Sequence, residues 1–343
     1  MSPIISAAAL RELIDVWIKS GKQVAAPVSI AGRLLYQRID SSGQAVLDSA
    51  LRPANSIKDF VFPRHERLFG YRIEGRQISL TDPKPEERDQ IVIGAKPCDA
   101  HALPILDHVF AWGSNDEPYE RGRRRTAIVA LACTAHDDAC FCTSVGSSPA
   151  DETGADAMLF DLGNGSFELK AITAKGRTLF TQHAQPPATE PRPSGSAPAP
   201  RFDPAKIRAF LATQFESPFW AEGTLACLGC GACAYTCPTC HCFDIVDEGS
   251  AAEGARVRNW DSCQFPLFTA HASGHNPRSN QAQRQRQRMY HKFAIYPEKF
   301  GAILCTGCGN CARNCPAGLG VLGVLEAIDR QTIKTDERQP VQT

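Results

Sequence analysis

The chain has 343 residues, 43% of them hydrophobic and 22% charged, with 37 basic residues set against 37 acidic ones. That is enough chain for two domains with separate cores. A formal net charge of zero leaves no global field to draw it to nucleic acid or to an anionic membrane, and no apolar run approaches the length of a membrane span.

The first expected element lies in "MSPIISAAALRELIDVWIKSG". Leu10, Leu13, Ile14, Trp17 and Ile18 fall on one helical face, Lys19 sits in the last turn, and Gly21 supplies the stop. Arg11, Glu12 and Asp15 break the apolar positions and no basic region precedes them. The stretch therefore fails as a signal peptide, and a cytoplasmic protein is expected. Extended pieces follow in "VSIAGRLLYQRI" and "GRQISL", and "IVIGA" (91–95) and "TAIVALA" (126–132) have the continuous apolar character of buried strands. The expected fold class is α+β, a mixed α/β domain over residues 1–180 followed by a helical ferredoxin-like domain over residues 206–330. Between them residues 181–205 are rich in Pro, Ala and Ser and read as a linker or exposed loop, and residues 331–343 read as a polar tail.

Fifteen cysteines define the chemistry, none of them before Cys98 and none between Cys142 and Cys227. A disulfide framework suits small secreted domains. An odd count in a larger chain without an export signal points instead to metal or cluster ligation. Cys227, Cys230, Cys233 and Cys237 are spaced C-x2-C-x2-C-x3-C and followed by Pro238. The same spacing recurs at Cys305, Cys308, Cys311 and Cys315, followed by Pro316. In two-cluster ferredoxins the fourth cysteine of each run ligates the other cluster. One [4Fe–4S] cluster is therefore expected on Cys227, Cys230, Cys233 and Cys315, and a second on Cys305, Cys308, Cys311 and Cys237. Glycines at 229, 231, 307 and 309 suit a backbone that must approach inorganic sulfide closely. Zinc is the rival for these eight cysteines, but a third cysteine two residues on, and then C-P, has no role in a tetrahedral ribbon site. The long stretch between the runs, residues 238–304, exceeds a compact bacterial ferredoxin, and "GLGVLGVLEAIDR" after the second has helical periodicity. Both features favour the helical ferredoxin type.

A third group stands in the first domain. "IVIGAKPCDAHAL" runs from a strand into Cys98, and "TAIVALACTAHDDACFC" runs from a strand into Cys133, then Cys140 and Cys142. Parallel neighbouring strands would bring Cys98 and Cys133 to one sheet edge, where loops build sites, and Cys140 and Cys142 would close a four-thiolate cage. The spacing matches no general motif, so partly buried thiols at strand ends stand equally open.

Taken together, "GAKPCDAHAL", the "CFC" pair, "CLGCGACAYTCPTCHCFDI", "RNWDSCQF", "GHNPR" and "CTGCGNCARNCP" resemble, in this order, the iron–sulfur beta subunit of soluble NAD(P)-linked nickel–iron hydrogenases, the sulfhydrogenases. The electron-transfer subunit of anaerobic sulfite reductase is a close relative of that family. The resemblance implies a third [4Fe–4S] cluster on Cys98, Cys133, Cys140 and Cys142. It also implies an electron-transfer role with two partners: a flavin-containing NAD(P)H or ferredoxin reductase-like subunit, and nickel–iron hydrogenase subunits. A sirohaem sulfite reductase subunit, or polysulfide as terminal substrate, is the alternative. Cys240, Cys242 and Cys263 match the family's "PTCxC" and "WDSC" segments and stay unassigned. They are read as buried thiols near the clusters, alternative ligands, or a further site completed by His241 or Asp261.

Catalysis within the chain is not expected, because no nucleophile–base motif or phosphate loop is present and the cysteine pairs are consumed by cluster motifs. A chain with its own reductive site at Cys240, Cys242 and Cys263, or a structural cluster protein, are the contrasting classes. "GLGVLG" (318–323) fits a dinucleotide fingerprint but follows Cys315-Pro316 rather than a strand, so a helix start beneath a cluster is expected. Arg284, Arg286, Arg288 and Lys292 form one basic run, and Arg121, Arg123 and Arg125 belong to another. Such runs are usually solvated. Near a cluster they would raise its potential, and on the surface they would meet an acidic partner.

Overall fold

A computed structural model of the protein describes residues 3–84, 86–181, 185–187 and 195–331. Its strands are β1 (Pro3–Ser6), β2 (Gln23–Ile30), β3 (Arg33–Ile39), β4 (His65–Glu74), β5 (Gln77–Thr81), β6 (Gln90–Ala95), β7 (Thr126–Leu131), β8 (Ala157–Asp161), β9 (Ser166–Ala171), β10 (Gln185–Pro187), β11 (Phe243–Gly249) and β12 (Glu253–Trp260). Eight of them form one mixed sheet in the order β10-β1-β9-β8-β7-β6-β2-β3.

The first helix, Ala7–Lys19, opens on Ser6, whose hydroxyl accepts from the Ala9 N–H at 3.1 Å. It buries Leu10, Leu13, Ile14 and Trp17, the stripe its periodicity predicts. Positive φ at Ala31 (47°) and Gly32 (75°) gives the β2–β3 hairpin the turn that matches strand twist. Every residue of β6 and β7 is buried. The two strands are parallel neighbours, with β2 and β8 parallel beside them. Apolar clusters cover both faces of this parallel centre, which is why its strands read as unbroken apolar runs. Parallel strands end at the same edge of the sheet. The chain leaves β6 into the helix Pro97–Phe110, carrying Cys98 in its first turn, and leaves β7 into the loop carrying Cys133.

The second section is not purely helical. Residues between the two cysteine runs form the hairpin β11–β12, which joins strands of the first section in a sheet ordered β11-β12-β4-β5. β12 pairs with β4 from Asn259↔His65 to Glu253↔Arg72. The two sections thus share a sheet. Around a third apolar core, built on Phe202, Phe210, Trp220, Met289 and Leu325, pack the helices Pro204–Thr213, Gln281–Tyr290 and Leu322–Asp329. The last of these begins within "GLGVLG" (318–323), and the stretch follows the second cysteine run rather than a strand.

Much of the expected linker (182–184 and 188–194) and nearly all of the expected tail lie outside the described residues. The linker's end is not an exposed loop throughout. Pro198 is buried, and its carbonyl accepts from the Thr143 hydroxyl at 2.7 Å, beside Cys142. Among the described residues, no helix is long and apolar enough to cross a membrane.

Candidate iron–sulfur centres

The two cysteine runs fold alike. Gly229 and Gly231 have φ of 66° and 74°, and their counterparts Gly307 and Gly309 have 64° and 77°. These left-handed positions would strain any other residue. Gly231 and Gly309 each open a single helical turn, Ala232–Tyr235 and Asn310–Arg313, which carries the third cysteine of its run.

Cys227, Cys230 and Cys233 line a cavity together with Cys315 of the distant second run. The first three come from one loop and the fourth from across the molecule, as the exchange rule expects. Gln264, Gln285 and Arg288 complete the polar wall. Cys227 Sγ accepts from Gln285 Nε2 at 2.9 Å and from Gln281 Nε2 at 3.2 Å. Cys230 is exposed, with Leu225 (87% exposed) and Leu228 (72%) beside it in the chain.

Cys305, Cys308 and Cys311 gather with Cys237 deeper in the molecule. The Cys305 thiol is pushed up to about 12, by burial and then by the neighbouring Cys237 and Cys311 against the pull of Lys292. Cys308 is raised by burial, by Cys98 and by Cys237. Cys311 Sγ accepts from the Val321 N–H at 3.4 Å.

Cys98, Cys133, Cys140 and Cys142 line a second cavity. Gly307 and Cys308 also line it, so the second run forms part of its wall. The fit is close. An added Cβ on Gly307 would sit 2.5 Å from the Cys142 N and Phe141 C atoms, and one on Gly309 would sit 2.4 Å from the Ala139 O atom. Arg313 bridges the same junction, donating to Cys140 Sγ at 3.1 Å, to the Cys308 carbonyl at 2.7 Å, and to both oxygens of Asp137.

Each cysteine set has a buried cation facing it. Arg288 donates to the Cys233 carbonyl at 2.9 Å, and its buried Nε has no hydrogen-bond partner among the described residues. Lys292 Nζ lies 3.5 Å from Cys237 Sγ and donates to Thr239 Oγ1 and the Leu304 carbonyl. Burial pulls Lys292 down, but Cys237, Cys240 and Cys305 outweigh it and hold the ammonium charged. Lys96, beside Cys133 and Cys98, donates to the Asp48 and Ser49 carbonyls. Among the described residues none of these three cations has a carboxylate within ion-pair distance. A buried cation needs a counter-charge, and the groups that face these three are thiols. The donor set therefore fits an anionic cluster held by thiolates. Burial also lifts Cys142 and Cys233 to about 11, so a metal bound at these two would have to replace their protons. No three His, Cys, Asp or Glu side chains among the described residues converge closely enough for a single metal ion. A cubane instead spreads its thiolates over four irons.

Sequence reasoning singled out Arg288 and Lys292 but missed Gln281 and Gln285. The four recur at helical spacing, 281, 285, 288 and 292, on one face of Gln281–Tyr290 and the π-turn His291–Ile295 that continues it. A polar stripe with that period is the signal. Lys58 was also missed; it is buried over the Trp260 ring and donates to the Ala234 and Cys240 carbonyls. Local pattern gave no hint of it. Arg286 turns outward onto Phe215 and Glu216. Arg121 and Arg123 pair with Glu117 and Asp107, on the helix that leads into the start of β7, away from the strand ends that carry cysteines.

Residues 226–319 match the 4Fe-4S dicluster domain. The protein is thus an iron–sulfur protein, and a domain of this kind implies electron transfer. Along its length the chain is similar to Sulfhydrogenase 2 subunit beta of Pyrococcus furiosus, 29% identical over 324 residues that cover 91% of this chain and 93% of that one. The resemblance to a hydrogenase beta subunit therefore spans both sections. No solved structure matches.

Proposed function

We propose that the chain is a non-catalytic electron-transfer subunit whose two sections, 1–180 and 206–330, together hold three [4Fe–4S] clusters. The ligand sets are Cys227, Cys230, Cys233 and Cys315, then Cys305, Cys308, Cys311 and Cys237, then Cys98, Cys133, Cys140 and Cys142. The observation that carries this reading is the pair of cavities lined by cysteines from separate parts of the chain, Cys227, Cys230, Cys233 and Cys315 in one and Cys98, Cys133, Cys140 and Cys142, with Cys308, in the other. Cys311 neighbours Cys233 on one side, and Cys308 neighbours Cys98 on the other. The Cys305 set therefore stands in the middle of a path whose exposed end is Cys230.

Clusters of this type supply one-electron transfer, with potentials set by charge, hydrogen bonds and exposure. The chain's own part is to hold geometry with thiolates and to favour the more negative, reduced state. Gln281 and Gln285 do this through N–H···S bonds to Cys227, and Lys96, Arg288 and Lys292 do it through buried positive charge. The partners in this reading are a flavin-containing, NAD(P)H-oxidising chain and a nickel–iron hydrogenase module, supported by the hydrogenase subunit to which this chain is similar. A reducing cytoplasm suits a chain whose cysteines are all free thiols.

Iron and acid-labile sulfide per chain, on protein purified without oxygen, test the reading, with EPR after dithionite reduction. About twelve of each are expected for three cubanes. About eight would demote the Cys98 set to thiols, and zinc in place of iron would overturn the reading. Mild anaerobic isolation from the native host is expected to bring down a flavoprotein and a nickel–iron chain, and isolation as a lone, fully loaded chain would overturn the partner assignment.

A further inference from the structure

Two of the three cysteines outside the cluster sets meet at the root of the β11–β12 hairpin. Cys242 immediately precedes β11, and Cys263 follows β12 by three residues. The ladder ends at Phe243↔Trp260, and one step beyond it the Asp261 N–H donates to the Cys242 carbonyl at 2.9 Å. That crossing sets Cys242 and Cys263 close enough for each thiol to be the largest influence on the other's ionisation. Both residues are partly exposed and neither is in a disulfide. Gln264 Nε2 lies 3.4 Å from Cys263 Sγ as a donor. Cys240 stands apart, its thiol influenced most by Cys237.

The pair shares its proton unequally. The neighbouring Cys242 lowers Cys263, with Arg288, Gln264 and Lys292 assisting against burial. Cys263 and burial push Cys242 up. A thiolate stabilised by cations and N–H donors, touching a thiol that can resolve it, is the arrangement that makes cysteines exchange electrons. Ligation fits the pair poorly, because neither cysteine lines either of the two cysteine-lined cavities. Cys263 also stands close enough to Cys233 to raise its pKa, beside the first cluster set.

We propose that Cys242 and Cys263 form a redox-active dithiol, a two-electron thiol–disulfide couple placed beside the one-electron path. It relies on the proposed function only for the source of its electrons. Oxidation of the thiolate–thiol pair forms the Sγ–Sγ bond, releases one proton, and passes two electrons in succession to one-electron acceptors of the iron–sulfur class. Two one-electron donors of that class and one proton cleave the bond again. The couple lets a chain of one-electron carriers hold an electron pair.

The test uses the full, cluster-loaded chain, equilibrated without oxygen at stepped potentials, quenched in acid, denatured, alkylated and mapped by peptide mass. A Cys242–Cys263 cross-linked peptide is expected in the oxidised samples and should disappear reversibly on reduction. Wild type should also take up two more electrons per chain from dithionite than Cys263→Ser, at unchanged iron content. Full alkylation of both cysteines at every potential would overturn the proposal, as would loss of iron in Cys263→Ser or Cys242→Ser, which would make them ligands. Should either variant fold poorly, the wild-type peptide map decides alone. Low iron in wild type would count against the cluster reading instead, so the two failures are separable.

Discussion

The cavity of the first cysteine run and the cavity at the strand ends each gather cysteines from separate parts of the chain, yet they are built in unlike ways. In the first, three thiols come from one short loop, and two left-handed glycines set the loop's path. In the second, the thiols come from two strand ends and a "CFC" turn, and are assembled by the order of a parallel sheet. The first lies open at Cys230, whereas Cys140 and Cys142 are buried beneath the second run. A locally encoded site tolerates exposure because its backbone alone holds the ligands. A site assembled from the tertiary fold needs its neighbours packed in place.

The sharpest way to break that comparison is to remove one thiolate from each cage. Cys315→Ser and Cys133→Ser are each expected to lose about four of twelve irons, one cubane's worth, by iron analysis. The lost EPR signal should differ between the two. Should Cys133→Ser keep its full iron, the strand-end cage is not a cluster site and the comparison collapses. Next in size is Gly307→Ala. A left-handed φ of 64° and a Cβ 2.5 Å from the backbone of Phe141 and Cys142 cost on the order of 1–3 kcal/mol. The contact lies between the two cages, so the variant is expected to loosen the strand-end site as well as the second run. Urea unfolding with EPR would show this, and wild-type stability with both signals intact would show that the junction yields freely.

The same contrast explains what could be read from the sequence. The double C-x2-C-x2-C-x3-C spacing sets which thiols share a loop, and the expectation that Cys237 and Cys315 are exchanged comes from the general rule for two-cluster ferredoxins. The first helix and the buried strands β6 and β7 were legible because apolar period and continuity are local. The sheet shared by β4 and β12 was not, since its pairing joins residues nearly two hundred positions apart and β11 is exposed along its whole length. Lys58 escaped for the same reason: its partners Ala234 and Cys240 lie on the other section. Gln281 and Gln285 were readable in principle, but an inward polar stripe resembles a solvated face until something is known to lie behind it.

Lys292→Met asks whether buried charge tunes the middle set. The ammonium lies 3.5 Å from Cys237 Sγ and stabilises added negative charge, so its removal should lower the potential of that cluster. A shift on the order of 60 mV corresponds to a tenfold change for a one-electron couple. EPR-monitored titration reads it directly. An unchanged potential, at unchanged iron, would mean that the thiolates and backbone donors set the potential without the lysine.

The smallest effect expected is at Arg313, where the comparison is finest because one side chain serves both builds. Its fork holds both oxygens of Asp137 while also donating to Cys140 Sγ and the Cys308 carbonyl. Lysine keeps the charge but not the fork, so Arg313→Lys should destabilise the junction by under about 1 kcal/mol, given that Asp137 is half exposed. The hydrogen bonds from Arg313 hold the Asp137 carboxyl well below its ordinary range, against the opposing effect of burial. A carboxyl depressed in the folded state contributes stability above its unfolded pKa of about 3.9, and that contribution is lost as pH falls below it. The gap between wild type and variant should therefore be full at neutral pH and narrow below about pH 4, measured as urea stability of the chain at the two pH values. A gap that stays constant with pH would separate the effect from Asp137 and assign it to the contacts with Cys140 and Cys308, which do not depend on that carboxylate.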